Sequence, residues 1–363
     1  MTAPNRSLAL LASVFTLMGI GWVMSYSGSA FATSDGLFFA KRHGLHLMLG
    51  TLCMAAAALP HPRAYQRLAY PMYGLALLVL ILVLLPGVGR RVGGSARWLD
   101  LGFLRVQGGE LLKLALVFYL AMSLAKKGEK MRLFHAGIVP HIVLPGLAVL
   151  LLLAEPDLGT AFVSMSVTFV MLFIGGARTS YLLAMLLAAI PLALHAITAS
   201  PYRLRRLIAF FDPWSHRQDS GYQVVESLIA MGSGQLWGSG VGHGPAKLQF
   251  LPAAHTDFVL SLIGQEWGFV GVSLILLCFV IITIAGLHTA QSQYDPFCCY
   301  LAVGITTTLV LQAVVNACVA LGIVPTKGIT LPFVSYGGAS LLISCCMAGV
   351  LLQLSAAPPH DDS

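Results

Sequence analysis

The run Phe269-Val270-Gly271-Val272-Ser273-Leu274-Ile275-Leu276-Leu277-Cys278-Phe279-Val280-Ile281-Ile282-Thr283-Ile284-Ala285-Gly286-Leu287 contains no charged residue. A stretch of that length and apolarity is a helix that crosses the hydrocarbon of a bilayer. Comparable stretches recur on both sides of it. Windows of about 19 residues pick out about ten spans, centred near Phe15, Leu52, Leu78, Phe118, Leu150, Thr168, Ala188, Leu274, Leu309 and Met347. The whole composition agrees: 57% of the 363 residues are hydrophobic, only 10% are charged, and the mean hydropathy is +0.83. One soluble core does not need so much apolar surface. The sequence therefore predicts an all-α polytopic membrane protein, residues 1–363 forming a single transmembrane domain. A long polar loop over 200–256 separates the seventh and eighth spans. The first span lacks a cleavage pattern after a short apolar core and is read as retained.

The seven cysteines lie in or beside apolar spans without metal-ligand spacing. They read as packing residues, and their odd number argues against a disulfide framework. The histidines form no His-Glu-x-x-His or Cys-His grouping, so a structural metal site is not expected. Ten spans place both termini on one side. Eight of the 21 Lys and Arg then fall on the terminal side and thirteen on the other. Without the five cations of the long loop the two sides carry equal numbers, so the positive-inside rule leaves the orientation open. A basic face on the side opposite the termini calls for an anionic ligand, because Arg and Lys bind phosphate oxygens well.

Three polar segments lie on that face. The first runs from Gly93 through Arg97, Asp100 and Arg105 to Glu110 and Lys113. Glu110 and Lys113 are three residues apart and share one helix face, so they can pair. Such a pair lets two charges sit inside a membrane, and intramembrane ionisable groups also tend to line a substrate path. The second, Glu155-Pro156-Asp157-Leu158-Gly159-Thr160, is a tight corner. Its two acids suit a cation, but Asp157 and Thr160 suit a helix start better. The third, from Tyr202-Arg203-Leu204-Arg205-Arg206 to Tyr222-Gln223, interleaves basic and apolar residues. That composition fits a lipid headgroup surface. Nucleic acid is excluded as a partner because membrane spans flank the stretch. A glycine-rich run, Gly232 to Gly242, follows without a Walker lysine and reads as turns.

The long loop ends in Leu251-Pro252-Ala253-Ala254-His255-Thr256-Asp257-Phe258, which carries a carboxylate to the start of a long apolar helix. The residues alone support two readings of Asp257 equally, a helix N-cap and a catalytic base. Nearer the C-terminus, Gly322 to Gly338 holds Pro325 and Pro332 between apolar spans. Broken backbone at membrane depth is tolerated only inside protein or beside a water-filled cavity, so this segment is expected to dip into the bundle and bring Lys327 to the other cations.

Several of these motifs, in order, carry a family resemblance over nearly the whole chain. They are Tyr26-Ser27-Gly28-Ser29, Phe38-Phe39-Ala40-Lys41-Arg42, Ser95 to Asp100, Pro156-Asp157-Leu158-Gly159-Thr160, Gly221-Tyr222-Gln223, His255-Thr256-Asp257-Phe258 and Pro325 to Gly338. The chain resembles the SEDS family of shape, elongation, division and sporulation proteins. Its Phe-Phe-Ala-Lys-Arg and Pro-Thr-Lys-Gly stretches favour the division branch over the elongation branch. One departure is Gln107-Gly108-Gly109-Glu110, where the family usually has Gln-Pro ahead of the acid.

The resemblance implies a ten-helix polymerase of the bacterial cytoplasmic (inner) membrane, acting at the septum. It would extend glycan strands from lipid II on the extracytoplasmic side, with both termini inside. It implies that Asp257 is essential and that Glu110 and Lys113 lie in a central cavity. The implied partners are lipid II and the growing glycan strand, a class B penicillin-binding protein transpeptidase, other divisome membrane proteins and membrane lipids. Alternatives from other classes are a lipid II flippase and a non-catalytic division scaffold.

The chemistry fits the residues. Undecaprenyl pyrophosphate departs as a weakly basic anion without a general acid, so one base suffices, unlike the two carboxylates of a glycosidase. Glu266 does not complete a pair, because nine residues of helix put it about 13 Å from Asp257 on the opposite face. Asp257 would then take the proton of the acceptor 4-hydroxyl. The candidate cations for the leaving charge are Arg97, Lys113, Arg203 and Lys327. A divalent ion could assist, though nothing in the sequence fixes one.

Overall fold

The computed structural model describes residues 3–32, 37–92, 95–100, 105–242, 256–326 and 328–356. Its helices are α1 (Ala3–Ala32), α2 (Phe38–Ala58), α3 (Pro62–Leu84), α4 (Gly108–Lys127), α5 (Val139–Ala154) and α6 (Leu158–Ile174), then α7 (Thr179–Thr198), α8 (Pro201–Phe211), α9 (Tyr222–Ser233), α10 (Val259–Gln291), α11 (Pro296–Ala320) and α12 (Gly338–Ala356). Among the described residues eight helices are long and apolar enough to cross a membrane. α2, which starts with Lys41, Arg42 and His43, and the 17-residue α6 stand where the other two expected spans lie. The chain is an all-α multi-pass membrane protein.

Several helices have polar or proline starts that suit an interface. Asp157 accepts from the Thr160 amide at 3.1 Å to cap α6, and Asp295 accepts from the Phe297 amide at 3.0 Å to cap α11, with Pro296 in the first turn. At the far end of α10, Arg6 reaches across from α1. Its Nη1 donates to the His288 carbonyl at 2.9 Å and to Ser292 Oγ at 2.6 Å. A buried guanidinium at a helix C-terminus meets both the unpaired carbonyls and the negative end of the helix dipole. Arg6→Ala is therefore expected to destabilise the protein by about 1–3 kcal/mol, read as a lowered Tm in detergent. An unchanged Tm would show that α1 and α10 do not need this contact.

α4 forms the centre of the bundle. It packs against α3, α6 and α11, and nearly every residue from Gly108 to Leu124 is buried. A small antiparallel sheet that the sequence reading did not anticipate joins α3 to α4. Its strands β1 (Gly89–Val92), β2 (Ser95–Asp100) and β3 (Arg105–Gln107) run in the order β1-β2-β3, with Trp98 opposite Gln107. It sets Arg97 above the bundle.

The connection between α11 and α12 is non-helical from 328 to 337, and Leu331, Phe333 and Val334 are buried. It dips into the bundle, as its prolines and glycines suggest. Its backbone is satisfied inside protein, as apolar surroundings require. Asn316 Nδ2 donates to the Ile329 carbonyl at 2.7 Å, Gln312 Nε2 to the Thr330 carbonyl at 2.9 Å, and the Leu331 amide to Ser335 Oγ at 2.8 Å. Gln312 and Asn316 of α11 thus each fix a piece of irregular chain that has no ladder of its own.

Candidate active site

Asp257 stands just before α10, whose N-cap is Phe258 with no side-chain cap bond. The capping reading of Asp257 therefore does not describe this helix start. Among the described residues the carboxylate makes no hydrogen bond or ion pair. Its backbone is held instead: its carbonyl accepts from Asn316 Nδ2 at 2.9 Å, and the preceding Thr256 carbonyl accepts from Ser335 Oγ at 2.6 Å. A carboxylate with an anchored main chain and uncommitted oxygens can accept a proton from something else.

Burial pushes the Asp257 carboxyl up to about 6; the charges of Arg206 and Arg97 oppose the rise and Asp157 adds to it. Both arginines are placed by backbone carbonyls. Arg97 donates from Nη2 to the Pro156 carbonyl at 2.5 Å and from Nε to the Glu155 carbonyl at 3.4 Å. Arg206, on α8, donates to the Thr326 carbonyl at 3.3 Å and stacks over the Tyr202 ring. No carboxylate neutralises either one among these bonds. Beside them Glu155 is buried and its Oε1 has no hydrogen-bond partner among the described residues. Burial and the nearby Asp157 charge raise its carboxyl to about 8, with Arg97 pulling the other way.

Gly328 lies against Asp257, since a Cβ there would stand 3.2 Å from the Asp257 Oδ2. Gly328, Ile329 and Thr330 also line a small cavity whose polar lining includes Glu110, Lys113, Thr160 and Gln312. Lys113 Nζ is 2.8 Å from Glu110 Oε2 and donates to Gln312 Oε1 at 2.6 Å. The ion pair is close but not in hydrogen-bond alignment, for Glu110 Oε2 has no aligned donor. The stronger directional bond of Lys113 is the one to Gln312.

The structure thus brings Asp257, Glu110 and Lys113 around one short segment, with Arg97 held on the neighbouring 155–156 corner. It does not bring Arg203 there, whose Nη1 donates to the Ala196 carbonyl at 2.8 Å near the end of α7. Arg206, three residues on, faces the carboxylate instead. Lys327 lies outside the described residues. Glu266 is not part of the site, because it accepts a hydrogen bond from Ser27 of α1. Asp157 caps α6 as its sequence suggested and also accepts from Thr160 Oγ1 at 3.0 Å. Gln312, Asn316 and Ser335 were not singled out by sequence. Gln312 and Asn316 stand four apart in an otherwise apolar span, which is the pattern of a polar helix face turned inward. Among the described residues no three His, Cys, Asp or Glu side chains group to hold a metal ion.

A family model covering FtsW, RodA and SpoVE and described as "Cell cycle protein" matches residues 7–358. The chain belongs to this family, the SEDS proteins. Among its relatives is a probable peptidoglycan glycosyltransferase FtsW of Geobacter sp. (strain M18), 40% identical over 350 residues and covered 95% by each chain. A protein of the same description from Thioalkalivibrio sulfidiphilus is 41% identical, the alignment covering 97% of this chain and 90% of that one. The Thermus thermophilus rod shape determining protein RodA superposes with a TM-score of 0.71 at 31% identity, over 95% of each chain. A chain of a peptidoglycan synthase complex, solved to explain the coordination of polymerization and crosslinking, gives a TM-score of 0.80 at 31% identity, over 95% of this chain and 96% of that one. These matches span the SEDS bundle from end to end, so the site described above lies wholly within the shared fold.

Proposed function

We propose that this SEDS protein is a peptidoglycan glycosyltransferase that polymerises lipid II into glycan strands, with Asp257 as its base. The observation that carries the reading is the Asp257 carboxylate itself: without a hydrogen bond or ion pair among the described residues, held by its backbone, and under the charges of two arginines. In the reaction the acceptor's 4-hydroxyl gives its proton to Asp257. Its oxygen attacks the anomeric carbon of the growing strand, and the bond from that carbon to the phosphate oxygen breaks with inversion. The electron pair leaves with undecaprenyl pyrophosphate. Arg97 and Arg206 suit the developing negative charge, and Lys113 suits either sugar-linked phosphate or a polar group of the acceptor. Arg206 replaces Arg203 in this role.

The division-type relatives support a septal role in the bacterial cytoplasmic membrane, with the site on the extracytoplasmic side. The likeness to a synthase complex supports a class B penicillin-binding protein as partner. A base must be ionised to act, and the Asp257 carboxyl sits near 6. Polymerisation by purified protein with its partner is therefore expected to rise with pH through about 6 and to level off above about 7. A rate that stays flat between about pH 5 and about pH 8 would remove Asp257 as the base.

A further inference from the structure

α10 is not one continuous helix. Gly268 interrupts it at φ 65°, ψ −159°, a backbone conformation open essentially to glycine alone. Such a break strips carbonyls on one side and amides on the other of their partners one turn away. Here the glycine-rich run after α9 supplies them. The amides of Ser239 and Gly240 donate to the carbonyls of Gln265 and Glu266, each at 3.0 Å. In return the amides of Phe269 and Val270 donate to the carbonyls of Gln235 and Leu236, at 2.9 and 3.2 Å. Four residues of a six-residue strap thus bond to the helix on both sides of its break. The strap fits only because Gly238 has no side chain: a Cβ there would stand 2.1 Å from the Glu266 carbonyl oxygen. Upstream, α9 holds the same half of α10 through Ser227 Oγ and Ser261 Oγ, 2.5 Å apart.

We propose that residues 235–240 splice the two halves of α10 at Gly268 and thereby set the position of Asp257, which stands at the head of the first half. The inference rests on the reading of Asp257 as the base. The lever explains why the splice matters. Asp257 is roughly 15 Å of helix from the break, so tilting the first half by only about 4° displaces the carboxylate by about 1 Å. A misplacement of that size costs a reaction up to about 100-fold. Gly268, Gly238 and the strap amides are positioning groups, and none of them touches substrate.

Hydrogen exchange on the full-length protein tests the splice directly. Peptides covering 235–240 and 266–271 are expected to exchange slowly in the wild type; exchange as fast as in exposed loops would overturn the proposal. Gly268→Ala and Gly238→Ala are then compared for lipid II polymerisation with the partner present. In a variant that remains monodisperse and exposes these amides, kcat is expected to fall roughly 10- to 100-fold with KM within about twofold and the acid limb of the pH profile unmoved. A purely structural role would instead lower the fraction of folded protein and leave kcat per folded molecule unchanged, and that result overturns the proposal. So does wild-type kcat in a variant whose strap amides exchange freely. Asp257→Asn runs in parallel: its full activity would remove the base reading, whereas the exchange measurement decides the splice by itself.

Discussion

Asp257→Asn is expected to lower lipid II polymerisation by about 10²- to 10⁴-fold while leaving the fold and its stability intact. The magnitude follows from the role. General-base catalysis contributes about 10²–10⁴-fold, and among the described residues the other nearby carboxyls are poor substitutes: Asp157 caps α6, Glu266 is hydrogen-bonded to Ser27 of α1, and Glu155, raised to about 8, is mostly protonated at neutral pH. The stability half follows from the bonds. The Asp257 side chain caps nothing, and the two hydrogen bonds that hold this turn, from Asn316 and Ser335, go to main-chain carbonyls that the substitution leaves in place. Asparagine is isosteric and uncharged, so it also removes the cost of a carboxylate held in partial burial. The Tm is expected to stay the same or rise slightly. A fall of many degrees would mean that the side chain has structural partners and that lost activity says nothing about a base.

Breaking the pair in the central cavity has the second large expected effect. Lys113→Met leaves Glu110 buried with no counter-charge and Gln312 Oε1 without its donor. Removing one member of a buried ion pair costs about 3–5 kcal/mol. Removing both charges, in Glu110→Gln with Lys113→Met, avoids the uncompensated charge and should recover most of that loss. The diagnostic is thus the order of stabilities: wild type, then double variant, then Lys113→Met, measured by thermal unfolding in detergent. A Lys113→Met protein as stable as the wild type would show that the pair is not held in a dry environment. Both variants are expected to lose polymerisation, because Lys113 faces the cavity beside Gly328, next to Asp257.

Some features of the molecule can be read from the chain because one local property determines them. Membrane spans follow from runs of apolarity such as Phe269 to Leu287, and the Glu110–Lys113 pair from a spacing of three on a helix. The buried connection before α12 follows from Pro325, Pro332 and their glycines, since broken backbone at that depth must be enclosed. The features that were missed depend on non-local packing. The strands Gly89–Val92, Ser95–Asp100 and Arg105–Gln107 are too short to show a period, and only their mutual pairing makes them strands. Arg203 and Arg206 are chemically equivalent in the sequence. The seating of α8 gives one to the Ala196 carbonyl of α7 and the other to the Thr326 carbonyl, from where its charge acts on Asp257. The break at Gly268 leaves hydropathy untouched, because its cause is a distant strap rather than a polar or proline residue. Asp257 reads in the sequence equally as a cap and as a base, because an acid before an apolar helix suits either role. The helix begins one residue late for capping, at Val259, and the N-cap falls on Phe258.

The most direct measurement of the central claim is the glycan product formed from purified lipid II by the wild-type protein and by Asp257→Asn, each with its transpeptidase partner and at a pH above about 7. A base at Asp257 predicts a ladder of polymer from the wild type and none from the folded variant. A ladder of near-normal intensity from Asp257→Asn would contradict it.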